Sequence, residues 1–282
     1  MKIALYCLVC FLLFPLFSPQ VVAQRGGHTR PGERVVLNVN GVAYAWRFCP
    51  PKSATGRDSN DVRGFWLLET EVTLDMFGDF VRETGYHTDA QRGDGGWGWS
   101  EPMQDFAQDR AFSWEDFGLP QSKNHPVANV SWNDAVAFCA WLGRKIEKEV
   151  GLPKAEQWEH ACQAGTESEF YWGSDPESAV QFENVADASL AQIFPDWATI
   201  CADDGVAFAA PVASYRPNAW GLFDMHGNVR EWCAASAIRG GSWFSRPHTS
   251  ATGFRTSPAP NETNYDLGFR PIAIGLETHI AP

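Results

Sequence analysis

The sequence predicts an α+β fold that is loop-rich and low in regular secondary structure. Three observations carry this expectation. Alternating apolar stretches come early, three helical segments with recognisable ends lie between residues 73 and 165, and the texture changes after Gly165. From there on, short apolar bursts are scattered among glycines and tryptophans. With 13 Trp, 19 Phe, 25 Gly and 18 Pro in 282 residues, aromatic rings are expected to supply core area that short elements cannot.

Residues 1–23 read as a secretory signal peptide. Lys2 precedes the 15-residue apolar run "IALYCLVCFLLFPLF", and Val21–Ala23 offers a small-residue cleavage site. The run is short for a membrane span, which needs about 20 residues. No later stretch is apolar enough to cross a bilayer. The mature chain is therefore expected to be secreted or periplasmic, without a membrane span. Residues 24–34, "QRGGHTRPGER", form a flexible lead-in, and 35–282 are expected to be a single domain.

Within that domain, "RVVLNVNGVAYAWRF" alternates around Asn40–Gly41 and predicts a hairpin. "GFWLLETEV" (64–72) predicts another strand. Thr73 caps a first helix, "LDMFGDFVRET", that stops at Gly85. A long Gly/Trp/acid stretch, 91–120, is expected to be a loop. Ser131, with Asp134 three residues on, caps a second helix, "WNDAVAFCAWLGRKIEKEV", that stops at Gly151. On it Val136, Cys139, Ala140, Gly143 and Ile146 fall on one face. A third helix runs from Pro153 to Gly165, with proline suited to the first turn.

Charge and cysteine usage narrow the function. The 22 basic and 34 acidic residues leave a net charge of −12, which repels phosphate backbones and excludes nucleic acid as a partner. The acids suit hard cations such as calcium instead. Beyond residue 23 the cysteines are Cys49, Cys139, Cys162, Cys201 and Cys233, an odd set that leaves at least one thiol unpaired. Beyond residue 23 no CxxC occurs, and the chain has no GxSxG, HExxH, P-loop or GxGxxG in a strand-helix setting. His125, His160 and His226 lack ligand spacing.

Three segments carry the most information: "HPVANVSWNDAVAFCAWLG" (125–143), "GLPKAEQWEHACQAG" (151–165) and "NAWGLFDMHGNVREWC" (218–233). They are followed by "RGGSW" (239–243) and "LGFRP" (267–271). In this order they resemble the formylglycine-generating enzymes, or sulfatase-modifying factors, across about residues 64–271. The resemblance implies one domain with a variant of the C-type lectin fold, stabilised by two bound calcium ions.

The residues themselves also suggest calcium. "FDMHGNVRE" sets Asp224 and Glu231 seven residues apart around a Gly-Asn turn, and such a turn can wrap a hard ion with oxygen ligands. The resemblance implies the carbonyls of Gly227 and Val229 as further ligands. It implies a second site at Asn184, Val185, Asp204 and Val206, around Gly205.

The same resemblance implies that cysteine oxidation needs two Cu(I)-binding cysteines just after the "GGS-aromatic" segment. The corresponding positions, five residues apart, are Ser245 and Ser250. Cu(I) is soft and prefers thiolate sulfur, so copper is not expected here. The family's disulfide partners of Cys139 and Cys162 fall at Pro271 and Arg255, so both thiols are expected to be buried and free; Cys201 and Cys233 could pair. By resemblance Ser242, Trp243, Arg246, His248, Arg255 and Asp266 fall at the peptide groove and reaction centre. His248 could act as a base. Arg246 and Arg255 could fork onto a carboxylate or sulfate. Trp97 and Trp99, with Trp243, could form an aromatic wall for a peptide or a sugar face.

Three functions follow from these residues. The first is an exported family domain without copper oxidation, binding a peptide, glycan or exported protein in the groove. The second is an enzyme of altered chemistry on the same scaffold, using His248 or Asp266. The third is a true oxidoreductase converting sulfatase cysteine to formylglycine.

Overall fold

The computed structural model describes residues 29–52, 62–246 and 256–276. The predicted signal peptide, residues 24–28 of the lead-in, and His248, Ser250 and Arg255 lie outside them.

The Asn40–Gly41 hairpin forms as β1 (Arg34–Val39) and β2 (Val42–Cys49), both turn residues taking positive φ. The strand expected at 64–72 is shorter, β3 (Phe65–Leu68), and is buried along its whole length. These join β10 (Ile272–Ile274) and β6 (Glu149–Gly151) in a five-stranded antiparallel sheet of order β1-β2-β3-β10-β6. Alternation along β3 explains its full burial. Trp66 and Leu68 enter the larger apolar cluster on one face; Phe65 and Leu67 enter a second cluster on the other.

Helix α1 (Leu74–Thr84) starts at Thr73, whose hydroxyl accepts from Met76 N, and ends at Gly85 in the left-handed region. The short α2 (Asp89–Arg92) follows. The expected loop at 91–120 instead contains a hairpin, β4 (Gly96–Ser100) with β5 (Asp105–Asp109). Gly95 and Gly98 permit it, because a Cβ at either would strike the Asp109 or Phe117 carbonyl oxygen.

Helix α3 (Trp132–Ile146) has the full capping box between Ser131 and Asp134. It ends at Glu147, before the predicted stop, because residues 149–151 are taken by the sheet. Its buried stripe is Ala135, Phe138, Cys139, Leu142 and Ile146, whereas Val136 and Ala140 are exposed. The expected stripe was therefore turned away from the larger ring of Phe138. Helix α4 (Ala155–Gln163) begins after Lys154, so Pro153 lies just outside it.

Beyond Gly165 the elements are short, as expected: a 3-10 turn (Pro176–Gln181), α5 (Ala188–Ile193) and a small sheet of β8 (Ile238–Arg239), β7 (Arg230–Trp232) and β9 (Leu267–Phe269). β7 and β9 run parallel and β7 and β8 antiparallel. This small sheet carries Glu231 and places Asp266 at its margin.

Candidate functional site: a buried carboxylate knot beside a serine pair

The turn leading into β7 concentrates buried charge. Glu71, Glu183, Asp224 and Glu231 are all buried, and so is Arg270. Four carboxyl groups thus share one guanidinium. Arg270 Nε donates to both Glu231 oxygens at 2.8 and 2.9 Å, and Trp158 Nε1 donates to Glu231 Oε2 at 2.7 Å. Glu71 Oε1 accepts from Asn228 Nδ2, while its Oε2 lies 3.9 Å from Arg270 without a hydrogen bond. Asp224 Oδ2 accepts from Ala213 N at 2.8 Å, leaving Oδ1 with no donor. Neither Glu183 oxygen has a hydrogen bond of good geometry, although Tyr171 and the His226 backbone lie beside it. Burial, then repulsion from Asp224, pushes Glu71 and Glu183 well above the usual carboxyl range, and burial pushes Asp224 up to about 6.

The two predicted calcium motifs meet here. Asn228 N donates to the Asn184 carbonyl at 2.8 Å, and a Cβ on Gly227 would come within 2.3 Å of the same oxygen. Only glycine permits that approach. Asn184 Nδ2 donates to the Phe208 carbonyl at 2.7 Å, and its Oδ1 is buried with no donor. Val185 and Val229 are buried beside these turns. Between the two turns in the chain, Asp204 takes Val206 N and the Tyr215 hydroxyl, and burial raises its pKa to about 6. Asp187, Asp203 and Asp204 each offer an oxygen within 4.8 Å of the others, a group able to hold a metal ion. Orphaned oxygens on Asn184, Asp224, Glu71 and Glu183 suit a hard cation.

The serine segment lies on the other side of residue 228. Trp243 N donates to the Asn228 carbonyl, and Ala186 N to the Ser245 carbonyl. Ser245 Oγ accepts from Ser242 N at 3.1 Å and sits 3.1 Å from Ser242 Oγ. The position expected to carry copper-binding sulfur is thus a hydroxyl held by a neighbouring hydroxyl. These hard oxygen donors do not fit Cu(I).

Trp243 is fully buried, so it is core rather than an open wall. Around it stand Phe106, Phe208, Phe244 and Tyr265, with Phe106 and Tyr265 stacked at 4.2 Å. Trp99 packs on Phe106 and Phe194, joining this half-exposed aromatic floor. Trp97, two residues away, instead lines a separate trough with Arg92 and Thr263. Asp266 is buried and engaged by Arg230, through Nε and Nη2 at 2.6 and 2.5 Å, which ties it into the fold. Arg246 is exposed and donates to the Ala198 carbonyl.

Among the described residues the five cysteines form no disulfide; Cys201 is exposed and the other four are buried, so no Cys201–Cys233 bridge forms. Cys162 Sγ lies 3.3 Å from His226 Nε2. Sequence reasoning missed Glu71, Glu183 and Arg270. Arg270 sits inside the quoted "LGFRP", but the acids that surround it come from positions far away in the chain.

A family model described as sulfatase-modifying factor enzyme 1-like domain matches residues 19–273. The chain is 31% identical over 265 residues to the inactive C-alpha-formylglycine-generating enzyme 2 of Bos taurus, covering 77% of this chain and 82% of that one. It is 29% identical over 315 aligned positions to the formylglycine-generating enzyme of Streptomyces coelicolor, covering 90% and 94%. Among solved structures, PvdO from Pseudomonas aeruginosa superposes with a TM-score of 0.67 at 22% identity, covering 87% of this chain and 99% of that one. That last likeness concerns the fold alone.

Proposed function

The chain belongs to the sulfatase-modifying factor enzyme 1-like family, and from that membership we propose that it is an exported member without copper-dependent oxidation that holds a partner protein's peptide segment. The observation that carries this reading is the Ser242–Ser245 hydroxyl pair at the position where the family resemblance calls for a copper-binding cysteine. A serine hydroxyl is neutral, hard and weakly acidic, and cannot replace a thiolate in gripping Cu(I). The aromatic floor beside it, Trp99, Phe106, Phe194, Trp197, Phe244 and Tyr265, offers partly exposed rings on which an extended peptide can lie. Arg246 at its rim suits a carboxylate or sulfate. The similarity to a relative named as inactive supports the reading.

Calcium completes it. Asp224, Gly227, Val229 and Glu231 would form one ligand set, and Asn184, Val185, Asp204 and Val206 the other. The ion would neutralise carboxylates that the fold buries in excess. Arg270 already occupies Glu231, so at the first set the donor-free Asp224 Oδ1 is the stronger ligand.

Binding of a sulfatase-type Cys-x-Pro-x-Arg peptide tests the groove. The protein should bind it, and Phe244→Ala or Arg246→Ala should weaken binding without moving the melting temperature. Equal affinity in both variants and the parent contradicts the groove.

A further inference from the structure

We propose that the trough beside Trp97 is a binding site for a neutral glycan. It has a volume of about 560 Å³ and lies where α2, the β4–β5 hairpin and residues 259–263 meet. Its working surface is Trp97, Gln108, Asn261, Glu262 and Thr263.

The trough is built rather than incidental. Trp97 keeps 39% of its surface exposed, although its backbone is fixed. The side chain of Asn129, itself fully buried, accepts from Trp97 N at 3.0 Å and donates to Trp97 O at 2.6 Å. Asn129 N donates to the Asn264 carbonyl at 2.9 Å, and Asn129 holds a left-handed backbone at φ 55. One buried residue therefore ties both walls together and presents an indole to solvent between them. Gln108, directly across the hairpin from Trp97, is itself anchored by donation to the Gly95 carbonyl. Preorganisation of this kind lowers the entropic cost of binding.

The chemistry of the walls selects the ligand. Asp89 is neutralised by Arg92 at 2.5 Å and Asp94 by Arg110 at 3.2 Å. Glu262 acts electrostatically on Arg230, and Arg92, the basic residue of the lining, is taken by Asp89, which disfavours phosphates and sulfated chains. Side chains of Asn261, Glu262 and Thr263 make no hydrogen bond among the described residues. The trough thus offers an indole face, amides, one hydroxyl and one carboxylate. A pyranose ring matches this set: its C–H face lies on the indole and its hydroxyls meet the amides and carboxylate. With Asp89 and Asp94 paired and Glu262 facing the field of Arg230, the trough has little to hold a cationic peptide, and its polar walls exclude a lipid tail.

The site shares no residue with the peptide floor at Phe244, so the two readings fail separately. Cellohexaose, xylohexaose, mannohexaose and chitohexaose serve as probes, read by saturation-transfer NMR and tryptophan emission. At least one should bind at millimolar concentration. Trp97→Ala should weaken that binding by about tenfold or more, with Trp97→Phe intermediate and Gln108→Ala or Asn261→Ala also weaker. Peptide binding should be unchanged in all of them. The proposal is overturned if none of the hexaoses gives saturation transfer, if Trp97→Ala binds as the parent does, or if only an anionic oligosaccharide binds.

Discussion

Around α1 and α3, buried Phe77, Phe80, Phe138 and Trp141 meet chiefly other rings, with Phe77 and Phe138 stacked at 5.9 Å. Around the 224–231 turn the buried positions are Glu71, Glu183, Asp224, Glu231 and Arg270 instead. Both regions are buried. The first is held by packing, which responds to volume and shape. The second is held by compensation of charge, which responds to ions. The difference teaches that apolar packing and buried charge are divided along the chain. The helical part supplies a scaffold whose interior is mostly aromatic packing. The glycine-rich part buries polar groups and leaves several of their oxygens without a hydrogen-bond donor.

The largest effects should come from breaking each region by its own mechanism. Phe138→Ala opens a cavity among four aromatic rings and should cost about 3–5 kcal/mol by denaturant unfolding. Arg270→Met strands Glu71 and Glu231 and should cost a similar ~3–5 kcal/mol. The two differ in rescue. Adding Glu231→Gln should restore part of the stability to Arg270→Met and none to Phe138→Ala; rescue of neither would put the buried pair outside the account.

Metal removal comes next. Excess EDTA should lower the melting temperature of the parent, by an amount equivalent to about 2.7 kcal/mol if free calcium stood near 100 times its dissociation constant. Phe138→Ala should lose stability additively with EDTA, since it does not touch the ligands. An unchanged melt in EDTA removes both ions from the reading.

A smaller change sharpens the same contrast. In EDTA, Glu183→Gln replaces an uncompensated buried carboxyl with a neutral group, and should stabilise the protein by about 1 kcal/mol. Calcium should shrink that gain.

The smallest effect is a pH slope outside both regions. Burial holds His160 below 6.5, partly opposed by its contact with the Pro50 carbonyl at 2.8 Å. A depressed histidine binds fewer protons folded than unfolded, so its contribution is present above pH 6.5 and falls away below it. His160→Asn should therefore flatten the loss of stability between neutral and mildly acidic pH. A slope identical to the parent's would assign the loss to other groups.

How much of this was legible in the sequence follows the same divide. Thr73, Ser131, Asp134 and Gly85 announce helix ends through local hydrogen bonds, and Asn40–Gly41 announces a hairpin, because caps and turns are decided within a few residues. The β4–β5 hairpin was hidden because its glycines serve close backbone packing and read as loop. The three-residue strands β6 and β10 were hidden because their pairing is non-local. The 224–231 turn was visible as spaced carboxylates. Its neighbours Glu71 and Glu183 were not, since a buried acid and a surface acid look alike until the chain folds. Trp97 and Trp99 looked equivalent and face different surroundings, which only Asn129 and Phe106 decide.

The central claim is that oxygen at position 245 cannot do what sulfur would. The most direct test incubates the protein with Cu(I) and a Cys-x-Pro-x-Arg peptide, then follows metal uptake and peptide mass. The account predicts no tight copper binding and no mass change in the parent, with copper uptake appearing in the Ser245→Cys, Ser250→Cys double variant. Tight copper binding and aldehyde formation by the parent would contradict it.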